Sequence, residues 1–326
     1  MNIRHLIPAL VRLNPGDPFR DCQIKRENFG RRTDPYVDAE EFDAESEPSR
    51  TSGDDIRRNY SILLILLMLV SGCFGGAHRL SRSDQAAVTS MMADLRQARV
   101  VFVGEFHDQR DHHMLQLGII RELYGQGTPL SIGLEMFNLE QQPVLDEWVK
   151  GKLSLQDFVA RYQKGWSINW AEYDSIMLFA RNNRIPMIAL DAPSDLVKMV
   201  TYGGTGALTT EVLKRLPAGV TTSMPPSYRK FMSRAFRTHQ IPDGMFDNFC
   251  AAQGLRNSTM ARLIADHLVP EPERRMVVIA GVGHAMRRAV PAAVAAEGLS
   301  TKIVIPRVEG LYDELDGDDM DYFVEE

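Results

Sequence analysis

Cysteine is scarce in this sequence: Cys22, Cys73 and Cys250 are the three cysteines among 326 residues. Three such widely separated cysteines exclude a disulfide framework, a CxxC redox pair and a thiolate zinc site. An excess of one charge is also lacking, because 37 Lys and Arg residues stand against 43 Asp and Glu residues, a net charge of −6. This balance provides no basic field of the kind that binds nucleic acid, so we expect no nucleic-acid partner.

Long hydrophobic runs are lacking as well. The apolar stretch 62–70 is too short to cross a bilayer as a helix. Arg57-Arg58 precedes it and Ser71-Gly72-Cys73 follows, which is the order of a secretory signal peptide. The alternative, a buried core helix with a chance cysteine, is disfavoured because the stretch has no amphipathic face. Since 70–73 resembles the lipobox of bacterial lipoproteins, we interpret 57–73 as a lipoprotein signal peptide and Cys73 as the lipid-bearing membrane anchor.

The residues on either side of this signal bear on where the protein is located and on where its chain starts. Phe74, rather than aspartate, follows the cysteine, which in a Gram-negative source favours an exported lipoprotein of the outer membrane facing the periplasm. Residues 1–56 are mostly polar and lack periodicity. We interpret them as a disordered leader or as an extension from a start codon placed too far upstream, and exclude them from the fold.

The body of the chain, 84–308, alternates helical patterns with short apolar runs. Helices are predicted at 84–97 and 111–124, and strands at 100–103, 130–134, 185–190, 276–280 and 302–305. This alternation predicts an α/β fold, with a mainly parallel sheet and helices on both faces.

Two further segments complete this organisation. Residues 138–270 are mostly helical, and we interpret them as a helical cap inserted over the strand ends, where ligand clefts lie in open α/β sheets. Residues 309–326 form an acidic tail, within which 322–324 could pair as an edge strand.

Polar side chains follow three of the predicted strands. Glu105 and His107 follow the first strand, Glu135 the second, and His284 the strand at 276–280. The carboxyl ends of parallel strands share one edge of a sheet, so we expect this strand-end cluster to meet in one cleft. A single histidine after a strand is usually structural, but four such groups together indicate metal binding, proton transfer or ligand binding. His112 and His113, on the following helix, are expected at the surface or behind the cluster.

Large aromatic rings concentrate in 165–173, which contains Trp166, Trp170 and Tyr173. Core packing is the default explanation for such rings. A tyrosine phenolate can also ligate ferric haem, with neighbouring rings covering the porphyrin.

Several motifs resemble those of the ChaN-like haem-binding lipoproteins (haem-binding uptake, Tiki superfamily), and they occur in the same order along 84–302. They are 101–108 (VFVGEFHD), 133–137 (GLEMF), 142–146, Trp170 with Tyr173, 251–253 with 259–261, and 280–284 (AGVGH). The sequence departs from the family pattern at two places: 287–291 lacks an expected glycine, and 255–257 (LRN) lacks an expected tryptophan-aspartate pair. These departures weaken the assignment of the family's site residues to single positions of this chain.

The resemblance implies a ChaN-like haem-binding domain over 84–308 and a part in haem or iron uptake, with haem iron held by a tyrosine. By position that role falls to Tyr173, with Tyr228 as the rival. His107, Glu135 and His284 would belong to the cofactor-binding polar cluster. Haem is then the cofactor and ligand, and a homodimer around it is left open.

The wider superfamily includes Tiki-type metalloproteases and erythromycin esterase-like hydrolases, which gives an enzymatic alternative. In that hypothesis His107, Glu135 and His284 serve an esterase or peptidase, with a divalent metal or with His107 as general base, and Glu105 is a further catalytic candidate. A lipoprotein chaperone without cofactor is a third hypothesis. We favour the haem-binding protein over an enzyme.

Overall fold

Six parallel strands form the centre of the part of the chain that the structure describes. The computed structural model describes residues 82–238, 242, 244–307, 315 and 317–325, together with Leu6. The strands are β1 (Val100–Glu105), β2 (Leu130–Asn138), β3 (Met187–Asp191), β4 (Arg275–Gly281), β5 (Thr301–Arg307) and β6 (Tyr322–Glu325). They lie in the order β3-β2-β4-β1-β5-β6, and every neighbouring pair is parallel. The predicted α/β fold with a mainly parallel sheet is confirmed.

Helices lie between the successive strands from β1 to β5, as parallel neighbours require. They are α1 (Arg82–Leu95), α2 (Arg110–Tyr124), α3 (Gln142–Val149), α4 (Leu155–Gly165), α5 (Trp170–Asn182), α6 (Ser194–Gly203), α7 (Thr210–Leu213), α8 (Pro226–Thr238), α9 (Phe246–Leu268), α10 (Val282–Ala285) and α11 (Val290–Ala296). Short 3₁₀ turns occur at Leu139–Gln141 and Thr205–Ala207.

The central strands are buried along nearly their whole length, which explains their continuous apolar sequences. All six residues of β1 are buried, and β4 is buried after its first residue. Phe102 and Val278 pack in one core cluster with Ile264 of α9. Val103 and Ile279, each one residue further along its strand, point to the other face of the sheet and are also buried. Helix α2 packs against β1.

Side-chain caps fix where helices α4 and α5 begin. Ser154 caps α4 by accepting a hydrogen bond from the backbone N–H of Asp157, as the capping pattern predicts. Asn169 likewise caps α5 by accepting from Ala171, so the helix that carries Tyr173 begins at a fixed point. Strand β2 continues four residues past its predicted end at 134, because the residues up to 137 are still buried.

The two ends of the chain contribute differently to this picture. Tyr322–Glu325 pair with β5, so the edge strand that the sequence left open is present, and Arg288 pairs with the buried Asp319 just before it. The predicted signal at 57–73, Cys73 and the leader except Leu6 lie outside the described residues. Among the described residues, we find no helix with the length and apolar character needed to cross a membrane.

Candidate functional site

A cavity of about 400 Å³ opens at the carboxyl end of the sheet. Four adjacent strands, in the order β3-β2-β4-β1, bring polar groups to this edge: Asp191, Glu135, Gly281 and Glu105. Helices α8 and α9 supply the opposite wall. The residues that line the cavity are Glu105, Phe106, His107, Asp108, Glu135, Ile168, Tyr228, Met232, Phe249, Gln253, Arg256, Gly281, Val282, Gly283 and His284.

Glu105 accepts hydrogen bonds at both of its carboxylate oxygens. Its Oε1 accepts from Nδ1 of His107 at 2.7 Å and from the hydroxyl of Tyr173. Its Oε2 accepts from Nε2 of Gln116 at 2.7 Å and lies 3.4 Å from Nε2 of His113. Burial would raise the pKa of Glu105, but the hydrogen bonds to His107 and His113 outweigh it and hold the pKa well below its usual range. Glu105 therefore stays ionised and orients the groups around it.

His107 connects this buried carboxylate to the open part of the cavity. Its side chain is 35% exposed, and its ring meets Trp166 edge-on at a centroid distance of 4.9 Å. Burial acts to lower the pKa of His107, but the hydrogen bond to Glu105 and the charges of Glu135 and Glu105 raise it above its ordinary value. His107 is thus an oriented imidazole that can hold or exchange a proton at the cavity surface.

Glu135, Asp191 and Arg256 form a second, connected group. Nη2 of Arg256 donates to Oε1 of Glu135 at 2.7 Å and to Oδ2 of Asp191 at 2.7 Å. The backbone N–H of Gly281 donates to Oε2 of Glu135 at 2.6 Å. Burial would raise the pKa of Glu135, but the charge that His284 takes up in acid and the charge of Arg256 bring it down to about 2. For Asp191 burial dominates and the pKa is raised.

His284 is held in one protonation state by its two neighbours. Its Nε2 lies 2.9 Å from Nη1 of Arg256, which can only donate, so Nε2 must accept. The proton is then on Nδ1, which donates to Oδ1 of Asn257 at 2.5 Å. Burial is the largest cause that lowers the pKa of His284, to about 4. His284 is therefore a neutral acceptor near neutral pH.

The structure brings all four members of the strand-end cluster to the lining of one cavity. Of the two tyrosines singled out in the sequence, Tyr228 lines this cavity and Tyr173 does not. Tyr173 is fully buried, its hydroxyl is engaged by Glu105, and burial together with the charge of Glu105 raises its pKa far above the usual range.

The aromatic cluster divides between two roles. Trp170 is half-buried and packs against the rings of Phe158 and Tyr162, at centroid distances of 5.7 Å and 5.6 Å. Trp166 contacts His107 instead. His112 and His113 are both buried, and His113 lies against Glu105, so these histidines stand behind the cluster rather than at the surface.

Sequence reasoning missed Arg256, Asp191 and Asn257. Asp191 ends β3, so the strand-end argument that found Glu105 and Glu135 would also have found it. Arg256 and Asn257 lie within the 23-residue helix α9, and no local pattern marks them.

The divalent metal suggested for the hydrolase alternative does not fit this arrangement. Among the described residues, no three His, Cys, Asp or Glu side chains are placed to hold a metal ion. The physical reason is that the guanidinium of Arg256 already lies between Glu135, Asp191 and His284. A metal cation there would lie against the positive charge of the guanidinium and be repelled by it.

The fold and site together define an α/β protein with a ligand cavity at the strand ends. The chain belongs to the family described as haem-binding uptake, Tiki superfamily, ChaN, whose model matches residues 91–294. The resemblance seen in the sequence is thereby confirmed.

Several solved structures resemble the chain, and two of them illustrate the range of similarity. One, of cofacial heme binding to ChaN of Campylobacter jejuni, is 19% identical with a TM-score of 0.57, covering 72% of this chain and 90% of that one. At this identity the similarity establishes the fold alone. The other, a mutant of the erythromycin esterase EreC, is 12% identical with a TM-score of 0.43, covering 71% of this chain and 74% of that one, which is too weak a similarity to support an argument.

One curated relative also matches. Protein RETICULATA-RELATED 5, chloroplastic, of Arabidopsis thaliana is 25% identical over 184 residues, which is 54% of this chain and 24% of that protein. The chain therefore spans about a quarter of the length of this relative.

Proposed function

We propose that this protein binds haem in the cavity at the strand ends and serves haem or iron uptake, with Tyr228 as the iron ligand. The observation that carries the proposal is that Tyr228 lines an apolar-walled cavity in a chain that belongs to a haem-binding family. A tyrosine phenolate is an established axial ligand of ferric haem.

The lining chemistry suits this group. Phe106, Met232 and Phe249 supply apolar walls against which a porphyrin face can pack. Tyr228 lies on α8 with Met232 one helical turn further on, so a single helix presents both the phenol and an apolar contact. When bound, haem would supply an iron centre, and the residues of this chain would orient it and exclude water around it.

Tyr228 is preferred to Tyr173 on position. A phenol must lose its proton to ligate ferric iron, and that loss is hardest where the phenol is buried beside a carboxylate. Both phenols are fully buried. The difference lies in Glu105, a carboxylate to which Tyr173 donates its hydroxyl proton.

A haemin titration of Tyr228→Phe, with Tyr173→Phe as the matched control, tests the proposal. The unsubstituted protein should show the charge-transfer band of tyrosinate-ligated ferric haem. Tyr228→Phe should abolish this band, whereas Tyr173→Phe should retain it. The reverse result would return the role to Tyr173, and no specific spectral change in the unsubstituted protein would overturn haem binding itself.

The proposal includes export and lipid anchoring through Cys73, with the protein at the outer membrane facing the periplasm. Its support is the sequence order from Arg57 to Cys73. Labelled palmitate should be incorporated in Gram-negative cells and lost in Cys73→Ser, but kept in the control Cys22→Ser. Label retained in Cys73→Ser would rule this anchor out. Mass measurement with and without haemin should show whether haem brings two copies together.

A second candidate function is a hydrolase of esters or amides that works without a metal. The observation that favours it is the pair formed by His107 and Glu105, joined at 2.7 Å, with His107 partly open to the cavity. A carboxylate that orients an imidazole in this way is a common arrangement for a general base. Haem binding alone does not require such a pair.

The assay for this candidate uses panels of ester and peptide substrates. Turnover should be lost in His107→Ala and should rise with pH through the raised pKa of His107, because only the neutral imidazole accepts a proton. Asp108→Ala, which changes another residue in the lining, is the control. Equal turnover in His107→Ala and the unsubstituted protein would remove the hydrolase hypothesis.

A further inference from the structure

Arg256 is the positive centre of the buried half of the site. Its Nε donates to Oδ1 and Oδ2 of Asp191 at 3.0 and 3.1 Å, and its Nη2 donates to both Glu135 and Asp191. Its Nη1 lies 2.9 Å from Nε2 of His284 and 3.5 Å from Oε1 of Gln253. Every nitrogen of the guanidinium is thus matched with an acceptor of the protein.

The groups around Arg256 are the kind that otherwise bind a divalent cation. Glu135 and Asp191 each offer carboxylate oxygens, and His284 offers an imidazole nitrogen whose lone pair is directed at the guanidinium. Carboxylate oxygens and imidazole nitrogens are ligands of zinc and similar ions. Buried carboxylates need a cation of some kind, and a guanidinium or a metal ion meets that need.

We infer that Arg256 is the built-in cation of this site: its guanidinium supplies the positive charge that Glu135 and Asp191 need and engages the lone pair of His284, so that none of the three is available to a metal ion. Arg256 thereby fixes these three side chains. Arg256 is therefore a positioning residue. This role does not depend on haem binding and would hold equally for the hydrolase candidate.

Two chemical consequences follow. Since the donors of Arg256 are already engaged, an incoming anion finds no spare N–H there and must be held by other groups. Nε2 of His284 accepts a hydrogen bond from Arg256 and so does not take up a proton there. His107 is therefore the imidazole of the cavity that can exchange a proton. A variant without the guanidinium would free the lone pair of His284 and leave two carboxylates in need of a cation.

The test compares Zn²⁺ binding by the full chain and by Arg256→Met, which keeps most of the side-chain stem but removes the charge. Calorimetric titration should show one additional Zn²⁺ per chain in Arg256→Met, and this additional site should disappear in the double variant Arg256→Met/His284→Ala. Arg256→Lys, which keeps a positive charge, should gain no Zn²⁺ site.

Arg215→Met is a matched control. Arg215 also bridges two carboxylates, Glu140 at 2.7 Å and Asp195 at 2.6 Å, but all three side chains are at the surface. Its removal should add no zinc site, because exposed carboxylates are satisfied by water. Gain of a site in Arg215→Met as well would overturn the inference, because loss of any such arginine would then suffice.

A folded Arg256→Met that gains no Zn²⁺ would also overturn the inference. If Arg256→Met does not fold, ¹⁵N NMR of the histidine rings in the unsubstituted protein decides. The signals of His284 should then show the proton on Nδ1 and a lone pair on Nε2, directed at Arg256. A proton on Nε2 would contradict the role assigned to Arg256.

Discussion

The hydroxyl of Tyr173 donates a hydrogen bond to Glu105, the same carboxylate that holds Nδ1 of His107. One buried anion therefore links a core tyrosine to the imidazole of the cavity. The tyrosine that the sequence motif emphasises supports the site from behind, and the tyrosine on α8 lines the cavity itself.

Tyr173→Phe should destabilise the protein by about 2 kcal/mol, the usual contribution of a hydrogen bond to a charged group. Tyr162→Phe is the control, because its hydroxyl donates at 3.0 Å to the neutral backbone carbonyl of Ile168 and its loss should cost about 1 kcal/mol. Urea unfolding measures both variants. A smaller loss in Tyr173→Phe than in Tyr162→Phe would show that Glu105 does not depend on this hydrogen bond.

Gly281→Ala should disturb His107, because the backbone of Gly281 lies against its ring. A Cβ atom at Gly281 would lie 3.1 Å from Cε1 and 3.2 Å from Nε2 of His107. At Gly283 a Cβ atom would meet only Met232 at 3.6 Å and Phe231 at 3.9 Å, which are ordinary contacts.

We therefore expect Gly281→Ala to shift the NMR signals of the His107 ring and to weaken haemin binding, and Gly283→Ala to leave both nearly unchanged. Equal effects of the two variants would mean that His107 can move aside without consequence.

The strand-end cluster could be found from the sequence because each member follows a local apolar run. Glu105 ends β1 and Glu135 lies in β2, so the position of each along its strand fixes the edge of the sheet at which it lies. Parallel pairing then brings these positions together whatever the details of the helices.

The rest of the site depends on tertiary packing that no local pattern records. Arg256 reaches Glu135 and Asp191 across 121 and 65 residues of sequence. The choice between Tyr173 and Tyr228 likewise depends on which way α5 and α8 face, and amphipathic spacing alone does not distinguish a core from a cavity wall.

Acid should destabilise the protein through His284. Its pKa falls from 6.5 to about 4 on folding, so the unfolded chain binds a proton that the folded protein rejects. This contribution is fully present above pH 6.5 and is lost as the pH falls toward 4. It amounts to about 3 kcal/mol by the usual conversion. Urea unfolding at pH 7 and pH 5 should show a smaller stability difference in His284→Asn than in the unsubstituted protein.

His107 should act in the opposite direction. Its pKa is raised in the folded protein, so its contribution is present below pH 6.5 and is lost as the pH rises through the raised value. His107→Asn should therefore reduce the loss of stability on going from pH 6 to pH 8. An unchanged loss would contradict the pairing of His107 with Glu105.

Gly254→Ala, within α9, should destabilise the protein. A Cβ atom there would overlap the backbone of the segment that leads into α8, lying 2.7 Å from the carbonyl carbon of Thr222 and 2.9 Å from the oxygen of Ser223. Alanine gains about 1 kcal/mol in helix propensity, but a clash with backbone cannot be relieved by rotating a side chain, and overpacking costs about 1–3 kcal/mol.

Because the displaced segment leads directly to Tyr228, haemin affinity should fall along with stability. Gly203→Ala, whose Cβ atom would meet only Ala207 at 3.5 Å, should change neither. Retention of haemin affinity in a destabilised Gly254→Ala would mean that the wall formed by α8 does not set the binding geometry.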